Sequence, residues 1–160
     1  MALYENSVFH IIVACIIPNI GGFVGSIFTS TDSSSWYVTL DKPNFTPPSW
    51  VFIPAWTILY LLMGYSSYRI WRIGNGCKGE AKIPLLIYVF QLILNWLWTP
   101  IFFAQALGWS FVEMIVLAIA VVATTALFFK IDKVAGIILI PYIAWISFAA
   151  TLNYSIWYLN

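Results

Sequence analysis

The stretch Trp36-Tyr37-Val38-Thr39-Leu40-Asp41-Lys42-Pro43-Asn44-Phe45-Thr46-Pro47-Pro48-Ser49-Trp50-Val51-Phe52-Ile53-Pro54-Ala55-Trp56 decides how the rest of the chain is read. It holds four of the eight prolines and three of the nine tryptophans, at the point where one apolar run ends and the next begins. Pro43, Pro47 and Pro48 lack the amide hydrogen that a helix interior needs and push their neighbours towards extended backbone, so the preceding helix cannot run through them. A flexible linker would be poor in large aromatics, whereas Trp36, Tyr37, Phe45 and Trp50 gain from burial or from a membrane interface. The segment is expected to be an ordered lid.

Outward from the lid, the composition is that of a membrane protein. Of 160 residues, 62% are hydrophobic, 19% aromatic and only 8% charged, with a mean hydropathy of +0.90, far from the averages of soluble domains. The net charge of +1 supplies no basic field for nucleic acid. Cys15 lies in an apolar run and Cys77 in a polar loop, without metal-type spacing. Residues 1–7 lack the basic start of a signal peptide, so the first apolar run is kept as a mature helix.

A span of the hydrocarbon core takes about 20 apolar residues. Five such segments recur, at about 8–28, 50–71, 83–104, 109–129 and 134–157. They lack the alternation of barrel strands, and an open sheet edge cannot face lipid, so they read as helices. The expectation is an all-α integral membrane bundle of five transmembrane helices, one domain over 1–160, whose Pro/Trp-rich first loop closes a ligand cavity. Arg69, Arg72, Lys78, Lys82, Lys130 and Lys133 flank the second and fourth loops, against Lys42 alone in the first. That asymmetry places the N-terminus with those two loops in the cytoplasm and the lid outside.

Within the spans, polar and small residues carry the information. Gly21 and Gly25 share one face of the first helix, with Gly22 and Ser26 beside them, a spacing that admits another backbone as a packing seam or a dimer contact. His10 is read as interfacial. Gln91 and Asn95, four apart, must point into the bundle because an amide in hydrocarbon needs a partner; an interhelical hydrogen bond and a ligand contact both satisfy Asn95. Trp98 and Thr99 continue that face. Glu113 is the one acid within a span and reads as a shallow interfacial group with a proton-coupled role as the alternative. Trp145, Ala149 and Leu152 form a stripe on the last helix that suits a cavity wall or a tight seam. No nucleophile set, paired carboxylate, phosphate loop or metal cluster can be assembled, which argues against hydrolytic or metal-dependent chemistry. Indole rings remain, and they suit a flat apolar ligand with a few polar edges.

Three runs, WYVTLDKPNFTPPSWVFIPAW from Trp36, LNWLWTPIFF from Leu94 and PYIAWISFAATLNY from Pro141, together with GGFVGS from Gly21, resemble the translocator protein family, also called tryptophan-rich sensory proteins and formerly peripheral benzodiazepine receptors. The likeness covers nearly the whole chain. It implies a five-helix bundle whose first loop covers a cavity for porphyrins such as protoporphyrin IX, for sterols in animals, and for isoquinoline carboxamide and benzodiazepine drugs. Carried over by motif, the cavity is lined by Trp56, Asn95, Trp98, Trp109, Trp145, Ala149 and Leu152, with Ser26, Trp50 and Phe52 close by. Porphyrin is the ligand, no cofactor or metal is implied, and membrane lipid and a second copy are the other implied partners. Some bacterial members are reported to degrade porphyrin in light, which makes Trp56 and Trp145 the candidate catalytic pair. The chain departs from the family where Leu152 and Tyr154 lack a following base, which puts cholesterol in doubt, and where Phe45 replaces the usual lid tryptophan. It ends at Asn160 without the basic tail of mammalian members, which favours a bacterial membrane over the mitochondrial outer membrane as the expected location.

Overall fold

The computed structural model describes residues 2–29 and 35–160, with side chains from residue 7 onward; the reading of the first few residues as a non-signal start lies outside the described side chains. Five helical segments are long and apolar enough to cross a membrane. In chain order the helices are α1 (Ala2–Phe28), α2 (Trp36–Thr39), α3 (Phe52–Ile73), α4 (Lys82–Phe103), α5 (Leu107–Ile131), α6 (Lys133–Ile138) and α7 (Ile140–Leu159). They close a ring in the order α1, α3, α6 with α7, α5, α4 and back to α1. Met63, Ile70, Met114, Leu117, Phe128 and Tyr142 fill its middle, while Phe23, Ile27, Ile53, Ile83 and Ile119 face outward. Such an apolar exterior needs lipid to cover it. The protein is a multi-pass membrane protein.

The last span is interrupted for one residue: α6 ends and α7 restarts at Leu139, whose dihedrals stay in the right-handed helical region, with a proline in the first turn of α7. Pro141 has no N–H to give the carbonyl four residues back, so a helical hydrogen bond is missing at this point. A short 3₁₀ turn, Ser49–Val51, leads into α3 without a side-chain cap.

The glycine face of α1 is spent within the chain. A Cβ on Gly21 would collide with the Trp96 indole, and one on Gly22 would lie 2.5 Å from the Tyr60 ring. Trp96 Nε1 donates to the Pro18 carbonyl at 3.3 Å. Pro18 cannot serve the Ala14 carbonyl, and that oxygen lies over Gly64 of α3, where a Cβ would strike it. These contacts lock α1 against α3 and α4.

Candidate functional site

From residue 35 onward the first loop is docked on the bundle. Ser35 accepts from the Tyr37 N–H at 3.1 Å and starts α2, and Thr46 N–H closes a turn on the Pro43 carbonyl at 3.0 Å. Trp36 and Tyr37 meet the Phe102 ring at the end of α4, at 5.9 and 6.2 Å, and Phe45 meets Phe148 of α7 at 6.3 Å. Lys42 Nζ sits 4.4 Å from the Tyr37 ring centre. Asp41 N–H donates to Asn160 Oδ1, and Asn160 Nδ2 donates back to the Asp41 carbonyl, both at 3.0 Å. The lid is thus tied to the far end of the last helix.

Beneath it, helical spacing gathers rings from three helices. Phe52, Trp56 and Tyr60 follow one face of α3. Trp145 of α7 meets Phe52 at 6.0 Å and stands edge-on to Trp56 at 6.3 Å and 87°. Trp56 stacks on Tyr60 at 5.5 Å, and Trp98 of α4 stacks on Phe102 at 5.0 Å. Ala149 packs against the main cluster, and Leu152 is buried with Phe102 and Leu40 under the lid. Of the residues named from sequence, Phe52, Trp56, Asn95, Trp98, Trp145, Ala149 and Leu152 come together.

Three do not. Trp50 and Trp109 are 71% and 74% exposed, as suits rings at the ends of spans. Ser26 is exposed on α1 and donates to its own helix, to the Phe23 carbonyl at 2.6 Å.

Gln91 and Asn95 do point inward, and the geometry gives Asn95 its interhelical bonds. The Tyr60 hydroxyl donates to Asn95 Oδ1 at 2.7 Å. Asn95 Nδ2 donates to the Tyr142 hydroxyl at 3.0 Å, which donates in turn to Gln91 Oε1 at 3.0 Å. Sequence reasoning missed Tyr142 and its hydroxyl. The available signal was a tyrosine within an apolar span, whose oxygen needs a partner as much as an amide does.

The indole N–H groups of Trp98 and Trp145 are buried and have no hydrogen-bond partner among the described residues. Such groups are rare and call for a reason. Two concavities lie elsewhere and neither is lined by tryptophan. One, of about 580 Å³, is open on the outer face of α1 around Cys15, Asn19 and Phe23; the other, between Tyr88, Gln91 and Tyr142, has no room for a water molecule. Under the lid, ring lies against ring.

Comparison with known proteins agrees with this architecture. A profile of the TspO/MBR family matches residues 14–159. The chain is 43% identical to the human Translocator protein, over 89% of this chain and 85% of that one. It is 41% identical to the Tryptophan-rich protein TspO of Archaeoglobus fulgidus over 87% of this chain and 89% of the other. It is 36% identical to the Protein CrtK of Rhodobacter capsulatus over 100% and 95%. With nearly its whole length matched, this tryptophan-rich five-span chain belongs to the TspO/MBR family.

Proposed function

We propose that the protein is a membrane receptor or carrier for porphyrins such as protoporphyrin IX, and for flat drug-like aromatics of the isoquinoline carboxamide and benzodiazepine kind. The ligand lies between Phe52, Trp56, Trp98 and Trp145, under the first loop. The reading rests on the two buried indole N–H groups without partners. A flat ligand that parts the rings recovers their stacking surface with its own π-face and brings an oxygen or nitrogen acceptor to the donors. Asn95 does not read the ligand in this scheme. Its amide is committed to Tyr60 and Tyr142 and holds α3, α4 and α7 in place behind the site.

The test is quenching of tryptophan fluorescence by protoporphyrin IX in the dark, on purified protein in detergent. Saturable quenching is expected, and Trp98→Phe and Trp145→Phe each keep the ring but lose the donor. Each is expected to weaken binding about tenfold, near 1.4 kcal/mol. Equal affinity in both variants, or no saturation, overturns the assignment. A second reading draws on the edge-on pair Trp56 and Trp145, 6.3 Å apart: light- and oxygen-dependent porphyrin breakdown. Loss of porphyrin absorbance on illumination that disappears in Trp56→Phe and Trp145→Phe would establish that activity. A sterol that competes with the porphyrin would instead mark the site as one for sterols.

A further inference from the structure

The seam between α5 and α7 contains a polar group that the ligand reading does not use. Glu113 lies two turns into α5, one turn beyond Ser110 and on the same face. Glu113 is 9% exposed, Ser110 0% and Asn153 of α7 2%. The Ser110 hydroxyl donates to the Leu107 carbonyl at 2.8 Å and lies 3.3 Å from Asn153 Oδ1. Both carboxyl oxygens of Glu113 and the Nδ2 of Asn153 are buried without a partner among the described residues. An acceptor with nothing to accept and a donor with nothing to give it to share one seam.

Among the described residues no cation is hydrogen-bonded or ion-paired to Glu113. The inward-facing titratable groups on α3, α4 and α7 are the phenols of Tyr60, Tyr88 and Tyr142. Tyr154 is exposed, against Phe111. Arg69, Lys82 and the Lys133 of α6 belong to the opposite end of their helices, and Lys42 of the lid is engaged with the Tyr37 ring and the Leu40 carbonyl. An unpaired carboxylate in such a place costs several kcal/mol, far more than one hydrogen bond returns. A metal ion would need about six oxygen ligands, and no group of three or more His, Cys, Asp or Glu is found among the described residues. A proton needs only one oxygen.

We infer that Glu113, with Asn153 and Ser110, forms a proton-binding site in the α5–α7 seam beneath the first loop. The protonated carboxyl is neutral and both gives and accepts hydrogen bonds, so it suits the closed seam. Loss of the proton leaves a charge that only water or an opened seam can solvate. The neighbours Leu107 and Leu152 pack in the same cluster as Leu40, Trp36 and Tyr37. The seam is therefore capped by the lid, and because Glu113 lies two turns from that end of α5, the lid side is the nearer one for a proton to enter or leave. This inference stands apart from the porphyrin reading and survives its failure.

The experiment compares the wild-type chain with Glu113→Gln, which keeps the shape and the hydrogen-bonding edge but cannot ionise. Thermal unfolding is followed in detergent from about pH 5 to about pH 9, above the ordinary glutamate value of about 4.3. The folded seam holds a proton that the unfolded chain has released, so wild-type melting is expected to fall as pH rises. The Glu113→Gln profile is expected to lack that fall. Infrared spectra of wild-type protein with 13C-labelled glutamate supply a readout that needs no variant: a labelled carboxylic acid band is expected to persist at neutral pH. Parallel melting profiles with no such band overturn the proposal, and so does a band lost together with stabilisation by sodium at fixed pH, which would make the seam a metal-ion site.

Discussion

At the end of the bundle away from the first loop, polar side chains are matched. Arg69 Nε donates to Asp132 at 2.6 Å, the Ser66 hydroxyl donates to the Ala135 carbonyl at 2.7 Å, and the Tyr60, Asn95, Tyr142 and Gln91 chain closes the middle. Among the described residues the Tyr88 hydroxyl departs from this pattern. Beneath the loop the situation reverses: Trp98, Trp145, Glu113 and Asn153 all bury polar atoms without partners. Both regions are apolar and helical, so composition does not separate them. The difference is in how buried polar atoms are treated, and on the proposed reading it separates architecture from a region held ready for a ligand or a proton. A satisfied network fixes helices, and an unsatisfied one keeps a cost that a ligand or a proton removes.

The largest effect is expected where the matched region is tightest. A Cβ on Gly64 would strike the Ala14 carbonyl, which is backbone and cannot rotate away. Gly64→Ala should therefore lose about 2–4 kcal/mol of stability through helix displacement. Gly25→Ala meets only Thr99 Oγ1, at 3.3 Å, and should stay within about 1 kcal/mol. Thermal unfolding in detergent compares the two, and equal losses would show that the α1–α3 seam is not rigid.

A second pair uses one substitution in two settings. Tyr142→Phe removes the hydroxyl that accepts from Asn95 and donates to Gln91, and it should cost about 1–2 kcal/mol by leaving two buried amides short of a partner. Tyr88→Phe removes a buried hydroxyl with the Ser67 hydroxyl near it, itself donated to the Gly64 carbonyl, and it should be close to neutral. If both cost the same, bond satisfaction does not decide what a buried hydroxyl contributes, and the contrast between the two regions loses its basis.

Much of this was readable in advance, for definite reasons. Five spans and an ordered lid follow from run length and from proline among large aromatics, and the inward direction of Gln91 and Asn95 follows from the cost of an amide in hydrocarbon. Spacing placed Trp145, Ala149 and Leu152 on one stripe correctly. Trp50 and Trp109 were carried to the site by motif, yet they are exposed, because a tryptophan near a span end serves an interface as well as a pocket. Glu113 read as shallow and is buried; α7 packs against this part of α5 through Ser110 and Asn153, 43 residues apart, which no local pattern reveals. The pairing of Asn95 with Tyr60 and Tyr142 spans 35 and 47 residues and was likewise hidden. The break at Leu139 was visible in Pro141, and the apolar run around it masked the signal.

The smallest effect lies at the matched end and tests the comparison through pH. Asp132, between α5 and α6, accepts from Arg69 and also caps α6 by accepting the Val134 N–H at 2.9 Å. The bond from Arg69 holds its carboxyl below the usual range. The unfolded chain then binds the proton more readily than the folded one, so the contribution is complete above the ordinary aspartate value of about 4 and disappears as pH falls through the folded value. The Arg69 side chain is 31% exposed, so water screens the pair, and Asp132→Asn should cost about 1 kcal/mol at neutral pH. Its melting profile should lose part of the acid-side decline while keeping the fall towards alkaline pH assigned to Glu113. Because the matched carboxylate stabilises the fold when ionised and the unmatched one when protonated, Asp132→Asn and Glu113→Gln should flatten opposite flanks of one curve. Two variants that flatten the same flank would mean that both carboxyls sit in equivalent surroundings, and the contrast between the two ends would fall.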